Sequence, residues 1–168
     1  MTYGSAANFE TYHTVRGKSI PAEWHTTEIN AALLVASEWV DNLYSKSFTG
    51  YKTDGYSQVR EWPRTQAISD TFPQYVFSTT EIPDEMADAA YEAAFRELTK
   101  AGALNVDFTP NKYNKASVDG AVAVEYTQNL LINDVQVQIG IIESILRPLL
   151  DPNKGGASSG LSGDVNRR

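Results

Sequence analysis

The side chains that could do chemistry in this chain are few. They are His13 and His25, the carboxylates Glu81, Asp84, Glu85, Asp88, Glu92 and Glu97, the glycines at 155, 156, 160 and 163, and the adjacent pair Arg167 and Arg168. A catalytic histidine needs a nucleophile within reach and a carboxylate to orient it, and no spacing here supplies either. With no cysteine in the chain, two lone histidines do not make a zinc site. Glu81, Asp84, Glu85 and Asp88 fall at helical spacing near a helix start. There they read as a solvated face matched to the positive end of the helix dipole, not as a metal or acid/base cluster. The segment Gly155–Gly160 lacks the Lys-Ser or Lys-Thr that completes a phosphate loop, and it follows no strand. The chain reads as non-enzymatic, with no catalytic residue, cofactor or metal.

Charge narrows the partners. The net charge is −7, and 14 lysines and arginines are scattered along 168 residues. Neutralising phosphates supplies most non-specific nucleic-acid affinity, so a binder of that kind shows a basic stripe. This chain has an acidic stretch instead, past which DNA would slide without sticking. The aromatic residues of 45–80 could stack single-stranded bases, but without interleaved basic residues they read as core. The absence of cysteine removes disulfides, and no apolar run approaches the length of a membrane span. The start, Met1–Ala7, lacks the basic and apolar regions of a signal peptide, so a cytosolic protein is expected.

The elements that would position these groups are mostly helical. Ser5 caps a short helix over 5–15, with Phe9, Tyr12 and Val15 at helical spacing. Thr26 or Thr27 caps a helix to about Tyr44, with Ile29, Leu33, Ala36, Val40 and Leu43 on one face. Residues 45–80 carry turn residues and many aromatics, and read as an ordered loop folded over the helices with Trp62 as anchor. A third helix begins at Ile82-Pro83 and runs to about Ala101; its alanines imply close approach of another helix. Residues 115–127 read as a β-hairpin turning at Asp119-Gly120. Residues 134–150 alternate like a strand at first and then follow a helical stripe; length and the caps Asn133 or Asp134 favour a helix, with Pro148 in its last turn. The expected fold is mostly α: a small bundle of about four helices with one β-hairpin and an extended C-terminal arm.

That arm is residues 151–168, following a helical domain of residues 1–150. Gly, Ser and Pro dominate it, and only Leu161 and Val165 are large and apolar. It buries too little to offset the entropy of ordering itself. Its reach is at most roughly 60 Å. It reads either as a frayed terminus or as an arm that grips a partner.

The order of these pieces resembles a known family. Helix 27–44 is followed by Phe48-Thr49-Gly50, then by Glu61-Trp62-Pro63-Arg64-Thr65, then by Glu81-Ile82-Pro83 opening an alanine-rich helix. The strand Val124–Tyr126, the helix end Leu146–Leu150 and a Gly/Ser tail ending in arginines complete it. This pattern resembles the head–tail adaptor (connector, or head-completion) proteins of tailed bacteriophages, whose relatives often carry a label likening them to a DnaT-type single-stranded-DNA-binding protein. The chain departs from the pattern in its short N-terminus and in the extended aromatic segment Tyr51–Arg60. The resemblance implies a structural virion protein at the head–tail junction, assembled in the host cytoplasm. A homo-oligomeric ring of about twelve copies would bind the portal protein, meet tail or nozzle proteins, and line the channel for passing genomic DNA, with no membrane partner. On that reading Leu161 and Val165 fill portal pockets, while Arg167 and Arg168 make charge-assisted contacts. The alternative is a single-stranded-DNA-binding replication accessory.

Overall fold

The structure, a computed structural model, describes residues 1–105 and 139–154 together with the strand backbone at 115–116 and 124–125. In chain order the elements are α1 (Ala6–Val15), α2 (Thr26–Tyr44), β1 (Tyr51–Lys52), β2 (Arg64–Thr65), α3 (Asp84–Thr99), β3 (Lys115–Ala116), β4 (Val124–Glu125) and α4 (Gly140–Leu146). Short 3-10 turns occupy Gly55–Ser57 and Arg147–Leu149. β1 pairs antiparallel with β2, Tyr51 opposite Thr65, and β3 pairs with β4, Lys115 opposite Glu125. The fold is mostly α, as the periodicity indicated.

The core forms where α2 lies along α3, with α4 against α3 and α1 against both. Ile29, Leu33, Ala36 and Val40 recur at helical spacing and are buried on α2. Met86, Ala89, Ala90, Ala93 and Ala94 are buried on α3. Small side chains at the crossing let the two backbones approach closely.

Several boundaries differ from the sequence reading. Ser5 does cap α1, its hydroxyl accepting from Asn8 N at 3.4 Å, but Val15 faces solvent and His13 takes the inward position. The cap of α2 lies at His25, ahead of the expected Thr26 or Thr27. There the Glu28 carboxylate reaches back to accept from His25 N at 2.6 Å, satisfying a donor that the helix leaves open. α3 starts at Asp84, with Pro83 as its extended cap, and ends at Thr99. α4 starts at Gly140 because Ile139 is extended (φ −113°, ψ 99°), which interrupts the helical geometry. Asn133 and Asp134, expected as its caps, and the hairpin turn at Asp119-Gly120 lie outside the described residues.

The 45–80 loop does fold over the helices with Trp62 as anchor. Trp62 is fully buried, edge-on to Phe48 at 6.0 Å and to Phe77 at 5.3 Å between ring centroids. Burial alternates only over 66–70, where Ala67 and Ser69 are buried and Gln66, Ile68 and Asp70 exposed; residues 53–57 and 70–76 are exposed throughout. For this reason the expectation that its aromatics are core holds only in part. Tyr51, Tyr56, Phe72 and Tyr75 lie on the outer side.

Candidate functional site

The loop is held in place by two arginines. Arg64 is buried, and its guanidinium donates from Nε to Thr49 O at 2.7 Å and from Nη2 to Gly50 O at 2.8 Å. Its Nη1 reaches Glu61, at 2.7 Å to Oε2 and 3.3 Å to the backbone oxygen. One planar fork thus fixes both sides of the β1–β2 pair, which a lysine could not do. Gly50 between them has φ of +67°, and a Cβ there would overlap the Thr65 carbonyl and the Ala67 backbone. Arg60 performs the matching task at the N-terminus, donating from Nε to Met1 O at 2.7 Å and pairing with Asp41 at 3.5 Å and Glu38 at 3.6 Å. Tyr3 lies beneath it, donating to Asp41 Oδ1 at 2.6 Å and accepting from Trp62 N at 3.1 Å. Burial raises the Asp41 pKa even with Tyr3 and Arg60 beside it, and burial together with the Asp41 charge raises that of Tyr3.

The segment that leads to the C-terminus is tied to this loop. Leu150 forms a β-bridge with Phe48, Asp151 N donates to Ser47 O at 2.7 Å, and Asp70 N donates to Pro148 O at 2.8 Å. The Lys154 ammonium stands 5.6 Å over the Tyr51 ring and 3.8 Å from Asp151. Contacts with the body therefore continue past Leu150, where the sequence reading placed the start of the arm. Leu161, Val165, Arg167 and Arg168, the expected portal contacts, lie outside the described residues.

The remaining cations are engaged within the body. Lys18 and Arg96 both hold the buried Glu92 carboxylate, at 3.0 and 3.1 Å. Burial opposes ionisation of Glu92, but the Lys18 hydrogen bond and charge, with Arg96, outweigh it and leave its pKa below the usual value. Arg16 pairs with Asp88 at 3.8 Å and stacks over Tyr12, and Lys52 pairs with Glu61 at 3.0 Å. Of the lysines and arginines whose side chains are described, only Lys46, Lys100 and Arg147 stand outside an ion pair among the described residues. No continuous basic stripe forms from them.

The acidic stretch divides into several structural roles. Glu81 accepts from Ser78 N at 3.0 Å and from the Tyr75 hydroxyl at 2.8 Å, closing the turn into α3. Asp84 and Glu85 occupy the first turn of α3, as the dipole argument expected. Glu97 accepts from Gly102 N and Leu104 N, capping the far end. Among the described residues no group of histidine and carboxylate side chains has a metal-binding arrangement.

The two histidines are far from any such role. His25 is exposed at the head of α2. His13 is fully buried against Phe9, Tyr12 and Phe95, and its Nε2 lies 3.1 Å from Tyr91 O. A carbonyl only accepts, so Nε2 carries the proton; Nδ1 has no protein partner. Burial lowers the His13 pKa and keeps the ring neutral.

What remains outward in the loop is a set of large apolar side chains. Tyr51, Tyr56, Val59, Phe72 and Val76 each keep at least 60% of their surface exposed, with Tyr75 and Ile68 beside them in the loop. The Ile68–Val76 bridge brings two of them together, and adjoining exposed apolar side chains mark interaction sites. Sequence reasoning missed them because pattern alone does not tell which aromatics of an irregular loop meet the core. It also missed Arg60 and Tyr3. Arg64, by contrast, was singled out within Trp62-Pro63-Arg64-Thr65, and the structure supplies the physical role of that motif.

Fold and site together define a small, mostly helical protein in which most of the described cations pair with its own carboxylates. A family model described as "Putative DnaT-like ssDNA binding protein" matches residues 2–168. The chain belongs to that family. No curated protein and no solved structure matches it. Among the described residues no helix is long and apolar enough to cross a membrane.

Proposed function

We propose that the chain is a structural head–tail adaptor of a tailed-phage virion. Its copies would form a ring under the portal, line the DNA channel, and use the C-terminal residues to grip the portal protein. The observation that carries this reading is the charge arrangement. The described cations are mostly paired with carboxylates of the chain, so what the loop offers a partner is apolar surface rather than positive charge. Protein interfaces centre on such desolvated aromatic patches. A channel wall of net negative charge repels DNA and lets it pass.

The second reading is the single-stranded-DNA-binding accessory, and the family comparison favours it by its description. The exposed rings of Tyr51, Tyr56, Phe72 and Tyr75 could stack bases, and Lys154 over Tyr51 could meet a phosphate. The charge arrangement weighs against it, because stacking platforms work inside a positive groove.

The test is portal binding by the full chain and by a chain stopped after Lys154, a cut that leaves the described ties of 148–154 in place. The truncation is expected to abolish binding while leaving the helical circular dichroism intact. Undiminished binding by the truncated chain would sink the role given to Leu161, Val165, Arg167 and Arg168. Failure of both chains, with oligonucleotide affinity that falls steeply as salt rises, would install the second reading.

A further inference from the structure

Beside Pro148, where α4 hands the chain to its last residues, lies a groove of about 720 Å³. Phe72, Tyr75 and Phe77 contribute aromatic surface to it, and Ile82 and Pro83 line it at the entry to α3. Its rim is acidic: Glu81, Asp84 and Glu85 all line it, and no described cation lies within ion-pair distance of any of them. Asp41, Glu61, Asp88 and Glu92 elsewhere in the body do hold cations.

We infer that this groove is a docking site for the chain's own residues 161–168, bound in cis. The fit is one of charge and pattern. Leu161 and Val165 are the only large apolar residues after Leu150, and Arg167-Arg168 is the only adjacent basic pair in the chain. An apolar floor with an unneutralised acidic rim suits a short segment that carries two apolar side chains and ends in two arginines. The reach also suits. The contiguous described chain ends at Lys154, six residues after Pro148, which lines the groove, and is tied through Leu150 and Asp151 to Phe48 and Ser47. Leu161 follows seven residues later, a span of up to roughly 24 Å when extended. Tethering at that distance raises the effective concentration of the segment to the millimolar range, so even weak contacts hold it in its own groove rather than in that of another molecule. The inference stands apart from the portal reading: the same four side chains would be held on the body until a partner competes for them.

Because the chain has no cysteine, the test can use the full-length protein with a single nitroxide attached at Ser162→Cys. Paramagnetic broadening of backbone amide signals reads which surface the label visits. Selective loss of about half or more of the signal intensity is expected at Phe72, Tyr75, Glu81, Asp84 and Glu85, with the far end of α3 at Lys100, about 24 Å along the helix from Asp84, unaffected. Charge reversal by Arg167→Glu with Arg168→Glu should restore those signals while leaving the rest of the spectrum in place. Uniform or absent broadening of the groove residues would overturn the inference. So would broadening seen only when labelled protein is mixed with isotopically enriched, unlabelled protein, since that would put the segment on a second copy. No portal is present, so this result and the failure of portal binding are distinguishable.

Discussion

Replacing Arg64 by alanine tests whether one guanidinium holds the loop that carries the exposed apolar side chains. The substitution leaves the Thr49 and Gly50 carbonyls without their donor and removes one of the two cations beside Glu61. Glu61 keeps Lys52 at 3.0 Å, so its charge is not stranded. The loss therefore comes mainly from the two carbonyls, each a hydrogen bond to a charged donor worth about 1.5–3 kcal/mol. Thr49 is buried and Gly50 half-buried, so water replaces the donor only partly, and a total near 3 kcal/mol is expected. For a chain of this size that lowers Tm by roughly 6–12 °C. Urea unfolding followed by tryptophan fluorescence gives the free energy directly, since Trp62 sits under the loop. Arg64→Lys should recover little, because an ammonium cannot reach three acceptors in one plane. Lys52→Ala, which breaks a more exposed ion pair, should cost about 0.2–1 kcal/mol. A loss for Arg64→Ala no larger than that of Lys52→Ala would refute the reasoning.

Acid should weaken the fold through His13. Its folded pKa is lowered from 6.5 by burial, so its contribution is present above that value and lost as pH falls through the folded pKa. Glu92, held below 4.5 by Lys18 and Arg96, acts in the same direction at lower pH, whereas the raised pKa values of Asp41 and Asp88 act in the opposite sense. Urea midpoints measured across pH for wild type and His13→Phe should converge as pH falls below 6.5; parallel curves would contradict the neutral buried ring. Gly50→Ala should destabilise by more than about 1 kcal/mol, because the backbone there is left-handed and the added methyl meets backbone rather than a side chain that can move. Equal stability of Gly50→Ala and wild type would show that the chain entering β1 relaxes freely.

The helices were legible in the sequence because each carries a strong local signal. Ile29, Leu33, Ala36 and Val40 repeat at one spacing, and Pro83 followed by Asp84 and Glu85 marks a helix start by its own chemistry. The hairpin strands were legible for the same reason. The loop was harder. Trp62 could be named as its anchor because a large indole seeks burial, yet Tyr51, Tyr56, Phe72 and Tyr75 share that chemistry and stay outside. Which of them is buried depends on how Arg60 and Arg64 fix the chain, and those contacts span up to 59 residues. His13 rather than Val15 faces inward for a similar reason: the distant Tyr91 carbonyl accepts from the imidazole N–H, a donor that valine lacks. The candidate site was read from the composition of residues 151–168, whereas the acidic-rimmed groove joins residues 69–85 with Pro148 and has no local pattern to announce it.

The most direct measurement of the adaptor reading is electron microscopy of the full-length chain mixed with the portal ring of its own phage, beside the chain stopped after Lys154. A new ring of density beneath the portal, present with the full chain and missing with the truncated one, is the expected result. A portal left bare by both chains, under conditions where the full chain coats single-stranded DNA, would contradict it.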